Sequence, residues 1–256
     1  MPLSPSIRRT LAVAGLFVLL APHGYAQTTL AARQLLDTTI NVLGGRWFLE
    51  SREIRTEGRF YTFKRNEIAT SDLFTDYVKF PDRERLEFGK KDRTIHINRG
   101  SEGWILTPPA KGKDPDVEPQ TPGQINEFQK NFRTSFDYIL RFVIQTPKAS
   151  ILVTGSDIVD SKRADIIEIR DADKNLMRIS IDRETHLPLK MQTRLANEAI
   201  LYEESYANWH RFDAVMTPLM IVRHKDGVKT TEIRVEDAKY DAGFADSLFA
   251  PPAKSK

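Results

Sequence analysis

Asp171, Asp173, Asn175 and Asp182 stand at positions 1, 3, 5 and 12 of a loop pattern that can wrap a calcium ion in oxygen ligands. Such a loop needs glycine at position 6 for its sharp turn, and Leu176 stands there instead. A hairpin turn between "IIEIR" and "LMRISI" is the plainer reading. His96, His186, His210 and His224 show no HxxxH or HExxH spacing, so no local zinc site forms from them. "GSEG" at 100–103 lacks the arrangement of a nucleophile elbow, and the absence of cysteine removes thiol chemistry. Glu203 and Glu204 are neighbours in a predicted strand and point to opposite faces, which argues against a shared acid/base pair. The expectation is a protein without catalytic residues, metal or cofactor.

The residue types present in excess of what a catalyst needs are apolar. Phe60, Phe74, Val78, Leu86, Phe88, Ile95, Ile97, Trp104, Leu106, Ile179, Ile181, Leu189 and Met191 belong to successive short runs, while Phe128, Phe132, Phe136 and Leu140 recur at helical spacing. Two arrangements accommodate them. In one they form a fully packed core, and the protein is a non-catalytic interaction module working through its edge strands or a proline loop. In the other, a curved sheet and an aromatic helix leave a cavity that an acyl chain fills.

The elements that must position these side chains are legible in outline. "TTLAARQLLDTTINVLGG" places Leu30, Leu35, Leu36, Ile40 and Leu43 on one helical face, with Gly44 and Gly45 as terminators. From Arg52 onward the chain turns to short alternating runs, and strands so closely spaced must pair antiparallel. In "FPDRERLEF", Arg83, Arg85 and Glu87 form the predicted solvated face opposite Glu84, Leu86 and Phe88. Residues 107–124 carry five prolines and read as a surface loop, and residues 124–143 read as a second amphipathic helix with an aromatic face. Strands then resume to the end. The predicted fold class is mainly β (α+β): about a dozen antiparallel strands and two helices in one domain, the second helix inserted mid-sheet.

Residues 1–26 stand apart. Arg8 and Arg9 precede the apolar run "TLAVAGLFVLL", and "APHGYA" supplies small residues before Gln27, the pattern of an export signal. The run is too short for a membrane-spanning helix, which needs about 20 residues. Its removal leaves residues 27–256, with 36 basic against 35 acidic side chains, so nucleic acid is not an expected partner. A bacterial periplasm is the expected location, and without cysteine no lipid anchor can be attached there.

The order of several phrases resembles the LolA/LolB-type lipoprotein carriers and their LppX-like lipid-binding relatives. "YVKFPDRERLEF" is similar to that family's strand–Pro–strand segment, and "TIHINRGSEGWILTPP" to the hairpin that follows it. "IDRETHLPLKM" and the closing "SLFAPPA" fit a late strand pair and the terminal Phe–x–Pro–Pro tail. The resemblance implies an incomplete, strongly curved half-barrel closed by helices. It places Trp104 in the wall and makes residues 124–143 a lid over a cavity for acyl chains of a lipid or lipoprotein. It also implies a monomer moving cargo from an inner-membrane donor complex toward an outer-membrane acceptor. One departure is plain: an arginine precedes the proline in LolA and latches the lid, whereas this chain has Phe80.

Overall fold

The computed structural model describes residues 23–108 and 116–252, with side chains from residue 29 onward. The apolar run of the expected export signal lies outside the described residues. Helix α1 (His23–Leu43) ends at the Gly44–Gly45 pair, where Gly45 N–H donates to Ile40 O at 2.8 Å. A second helix, α2 (Arg46–Glu50), follows at once. At five residues it is too short to leave a periodic signal in the sequence.

Thirteen strands among the described residues form one open, curved antiparallel sheet. The first meander runs β1 (Glu53–Lys64), β2 (Glu67–Lys79), β3 (Arg83–Phe88), β4 (Thr94–Arg99), β5 (Glu102–Thr107) and β6 (Asp116–Pro119). The second runs β7 (Ser150–Val159), β8 (Lys162–Arg170), β9 (Leu176–Asp182), β10 (Pro188–Arg194), β11 (Leu201–Phe212), β12 (Val215–Lys225) and β13 (Val228–Tyr240). They join where β13 pairs with β1, so β6 and β7 are the two outer edges. Residues 120–149 must therefore cross a face of the whole sheet to link one edge to the other.

Local chemistry explains the joints. Two-residue hairpin turns fall at Arg65–Asn66, Asp160–Ser161 and Asp226–Gly227, each with positive φ at both residues, the handedness that matches strand twist. The β1–β13 seam shifts register at Glu57/Gly58. A Cβ on Gly58 would sit 2.0 Å from Arg234 O, so only glycine permits this close approach and the bend it produces.

The inserted helix is not continuous over 124–143. Helix α3 (Pro122–Arg133) stops, α4 (Phe136–Tyr138) restarts the turn, and a π-helical turn occupies Ile139–Val143. Thr134 and Ser135 account for the break. Thr134 Oγ1 donates to Lys130 O and Ser135 Oγ to Phe132 O, both at 2.8 Å, while Ser135 Oγ accepts from Tyr138 N–H at 3.3 Å. Hydroxyls that bond nearby backbone in this way compete with the helical ladder and cap a new start.

The expected proline loop also contains structure: Asp116–Pro119 pairs with β5, Val117 opposite Leu106 and Pro119 opposite Trp104. Residues 109–115 of that loop lie outside the described residues. On β3, the expected solvated face is covered. A 3-10 turn at Asp246–Phe249 lies over it, Phe249 is fully buried, and Glu87 is buried against Arg85 at 2.6 Å. Arg83 meets Asp246 at 2.8 Å, and Arg85 donates to Leu248 O at 3.3 Å. The C-terminal segment thus converts a charged strand face into a covered ion-pair network.

The principal core lies beneath α1 at the β7–β10 end. Ala32, Leu36, Ile40 and Leu43 pack with Ile151, Ile167, Ile169 and Met177, and Ile139 and Ile144 close the same cluster. No helix among the described residues is long and apolar enough to cross a membrane.

Candidate ligand cavity

The other end of the sheet is not filled. A cavity of about 480 Å³ lies between α3 and the concave face of β1–β4, β12 and β13, within the size range of small-molecule sites. Antiparallel register sets its walls. Ile54, Val78, Glu84 and Asn98 form one row across four strands, and Thr56, Asp76, Leu86 and His96 form the next. Met216, Ile221, Ile233 and Val235 complete the wall from β12 and β13.

The roof is aromatic. Thr121 begins α3 with a reciprocal capping box: its Oγ1 accepts from Gln124 N–H at 3.3 Å, and Gln124 Oε1 accepts from Thr121 N–H at 2.8 Å. The helix so started turns Phe128 and Phe132 toward the cavity, and Phe136 follows beyond the break. Phe132 stacks on Phe128 at 5.3 Å and on Phe80 at 5.5 Å, and Phe80 reaches Phe142 at 5.6 Å. Phe80 therefore ties the rim of β2 to both pieces of the broken helix by ring contacts.

The two pieces are held differently. Arg141 is buried; it donates to Phe48 O and to Ser51 O (2.8 Å), and it bonds Asp137 at 3.1 and 3.2 Å. Its guanidinium lies 4.1 Å from the Phe48 ring centroid. The C-terminal piece is thereby fastened to α2. Helix α3 is tied by Phe132, by Gln129 Nε2 donating to Gly100 O (2.7 Å), and by Lys130 donating to Tyr202 Oη (3.1 Å). The backbone ladder between the two is interrupted at Thr134–Ser135.

A polar patch sits within the apolar wall. Asn98 is only 3% exposed; its Nδ2 donates to Glu84 Oε2 at 3.1 Å. Asp76 lies one row away, and Arg223 reaches the cavity from β12 with its Nε 2.6 Å from Glu204. Burial pushes the Asp76 carboxyl well up, with the Glu84 charge adding and Arg223 opposing. Burial likewise raises Glu84 to about 7, against the pull of Arg223 and the Asn98 hydrogen bond. Burial alone lowers His96. Gln120, at the end of β6, lays its amide over Gly103, where a Cβ would meet it at 2.7 Å.

Seven of the sequence-predicted residues line this cavity: Phe60, Phe74, Val78, Leu86, Phe128, Phe132 and Phe136. Phe88 stands beside it, edge-on to Phe60 at 5.3 Å and to His96 at 6.0 Å. Ile95, Ile97, Trp104 and Leu106 are on the opposite face, because Ile97 pairs with Arg85 and Trp104, and Ile95 with Glu87 and Leu106. Ile97 and Leu106 are buried there on the covered side of the sheet. Trp104 lies on that same side, 5.4 Å from the Arg99 guanidinium. Leu140, Ile179, Ile181 and Met191 belong to the packed core under α1, and Leu189 to a small separate cluster with Val159 and Ala164.

The sequence reading missed Ile54, Phe80 and the β12–β13 contributors, since nothing local says that β13 lies beside β1. It put Glu84 on the buried side of its strand but gave it no role, and it passed over Asp76 and Asn98; a carboxylate in phase with apolar neighbours, such as Asp76 between Phe74 and Val78, was the available signal. The calcium-like stretch is a hairpin turn, with Asn175 N–H donating to Asp171 Oδ1 at 2.8 Å. Glu203 takes Gln192 and Glu204 takes Arg223, so the adjacent glutamates serve different networks. Among the described residues no three His, Asp or Glu side chains are grouped to hold a metal ion.

An open curved antiparallel sheet with helices across its concave face defines a LolA-like fold. No family model matches the chain and no curated protein matches its sequence. Solved structures do match. A DUF1329 family protein from Desulfovibrio piger is 14% identical over 86% of this chain and 97% of its own, with a TM-score of 0.59. An outer membrane lipoprotein-sorting protein domain from Vibrio parahaemolyticus is 13% identical over 85% and 97%, with a TM-score of 0.54. A LolA superfamily protein from Nitrosomonas europaea is 13% identical over 86% and 97%, with a TM-score of 0.53.

Proposed function

We propose that this protein is a non-catalytic carrier that takes an acyl chain of a lipid or lipoprotein into the cavity beneath α3 and moves it across the periplasm toward the outer membrane. The observation that carries this reading is the cavity itself, about 480 Å³ of space walled by phenylalanine and aliphatic side chains. A packed interaction module has no use for such a void, which forgoes contacts on every surface that lines it. The Vibrio parahaemolyticus domain of similar fold is named for lipoprotein sorting, which agrees with this use of the scaffold.

The energetics require a gate. A sixteen-carbon chain gains on the order of 13 kcal/mol on full burial, at about 0.8 kcal/mol per CH₂. Release therefore needs a movable wall, and α3, separated from the Arg141-fastened piece at Thr134–Ser135, is the segment we assign to it. Native mass spectrometry of protein purified from cells is expected to show a co-purifying lipid. Phe132→Asp, which places a charge under the roof, is expected to abolish uptake of a fluorescent fatty acid while circular dichroism of the sheet is unchanged. A bare mass together with unchanged uptake in the variant would reject the carrier reading.

A further inference from the structure

A cavity built only for hydrocarbon has no need of carboxylates, and this one contains a pair whose one nearby cation among the described residues, Arg223, is shared with Glu204. Glu84 and Asn98 are direct cross-strand partners on β3 and β4, and Asp76 lies one row away on β2, opposite Leu86. The other acidic side chains at the cavity are matched: Glu127 by Lys130 at 2.8 Å and Asp137 by Arg141 at 3.1 Å. Among the described residues only Arg223 opposes Asp76 and Glu84, and its Nε is engaged by Glu204 at 2.6 Å. A second, independent observation concerns hydrogen bonding. Asn98 is 97% buried and commits its amide nitrogen to Glu84, and among the described residues neither Asn98 Oδ1 nor Asp76 Oδ1 has a hydrogen-bond partner. Both residues line the cavity.

The deficiencies converge: Asn98 Oδ1 and Asp76 Oδ1 are acceptors short of a donor, and the Asp76–Glu84 carboxyl pair is short of positive charge. An alkyl chain lying over them supplies neither. A carboxylate or phosphate head would add a like charge beside two carboxyls. A primary ammonium offers three donors, no acceptor and the missing charge. We infer that the ligand is a long-chain amphiphile whose head carries a primary amine, seated with its nitrogen against Asp76, Glu84 and Asn98 and its chain along Phe60, Phe74 and Phe128. The carboxyls of Asp76 and Glu84 are raised chiefly by burial, which outweighs the pull of Arg223 on each. Glu127, Asn131 and Arg223 also line a smaller recess of about 250 Å³ beside α3.

This inference rests on the carrier reading and deepens it by naming the ligand class. The test is isothermal titration of the full mature chain with dodecylamine, dodecanol and dodecanoate, each below its micellar concentration. Dodecylamine is expected to bind at least ten-fold more tightly than dodecanol, and dodecanoate most weakly. In the double variant Asp76→Asn/Glu84→Gln the amine-to-alcohol ratio is expected to fall to within two-fold. Thermal melting of that variant no lower than the parent's shows that the fold is intact. Equal binding of all three ligands to the parent overturns the amine assignment and leaves the carrier reading standing. So does an amine preference that survives in the double variant. Binding of none of the three overturns both.

Discussion

The two ends of this sheet follow the same alternation yet solve burial differently. At the β7–β10 end, branched aliphatics such as Ile151, Ile167, Ile169 and Ile179 interlock with Ala32, Leu36 and Ile40 of α1, and each is nearly or fully buried. At the β1–β4 end Phe60, Phe74 and Phe80 share the wall with Ile54, Val78 and Leu86, and the helix above presents the rings of Phe128, Phe132 and Phe136. Phe60, Phe128 and Phe132 prop against neighbouring rings edge-on or tilted, and the space between the props stays open. Aliphatic chains adapt to fill a gap; planar rings stacked at 5 to 6 Å span it. One end is therefore packed solid, and the other keeps open space.

That contrast can be broken at three points. The largest effect is expected at the fastening between the two ends. Arg141→Met strips Asp137 of its cation and Ser51 O of its donor, and removing one partner of a buried pair costs about 3 to 5 kcal/mol. Urea denaturation should show this as a lowered midpoint with an unchanged slope. A loss under 1 kcal/mol would mean that α4 and the π turn are not anchored there.

The second point compares matched truncations. Ile179→Ala, in the packed end, should cost about 2 to 5 kcal/mol, whereas Phe60→Ala, at the cavity wall, should cost about 1 to 2 kcal/mol despite removing a larger side chain. Phe60 already lacks neighbours on one side, so fewer contacts are lost with it. Measured costs in the reverse order would contradict the division into a filled end and an open one.

The smallest effect is a pH dependence. Glu84 in the folded chain is raised from its ordinary 4.5 to about 7, so between these values the native state holds more protons than the unfolded one. Stability must then fall as pH rises through that window. Asp76, raised by burial, acts with the same sign, while His96, lowered by burial from its ordinary 6.5, acts with the opposite sign below that value. The Glu84 contribution is therefore read as a difference: the melting temperature of the parent minus that of Glu84→Gln should decline from pH 5 to pH 8. A flat difference would place Glu84 in contact with bulk water.

Much of this architecture was legible residue by residue. Alternating Thr, Val, Ile and Phe marked the strands, closely spaced runs imposed antiparallel pairing, and the Phe128–Phe132–Phe136 spacing marked a helix with an apolar underside. The break within that helix was also written in the sequence, as a Thr134–Ser135 pair whose hydroxyls bond the backbone, but periodicity averages over such a pair. In "TIHINRG" the rule that apolar residues face inward assigned the wrong side. His96 and Asn98 face the cavity, and Ile97 is buried on the other side. A strand covered on both faces gives alternation no preferred sign.

Chain order alone determined the periodicities, the turn residues and hence the set of strands and helices, because these depend on neighbours a few residues apart. Which side of each strand became the wall, and that β13 would bring Ile221, Arg223 and Ile233 opposite α3, depended on pairing between residues more than 150 positions apart. Only the closed seam between β1 and β13 fixes that register. The cavity exists because the segment joining the two sheet edges has to bridge the concave face, and its rings hold it away from the strands.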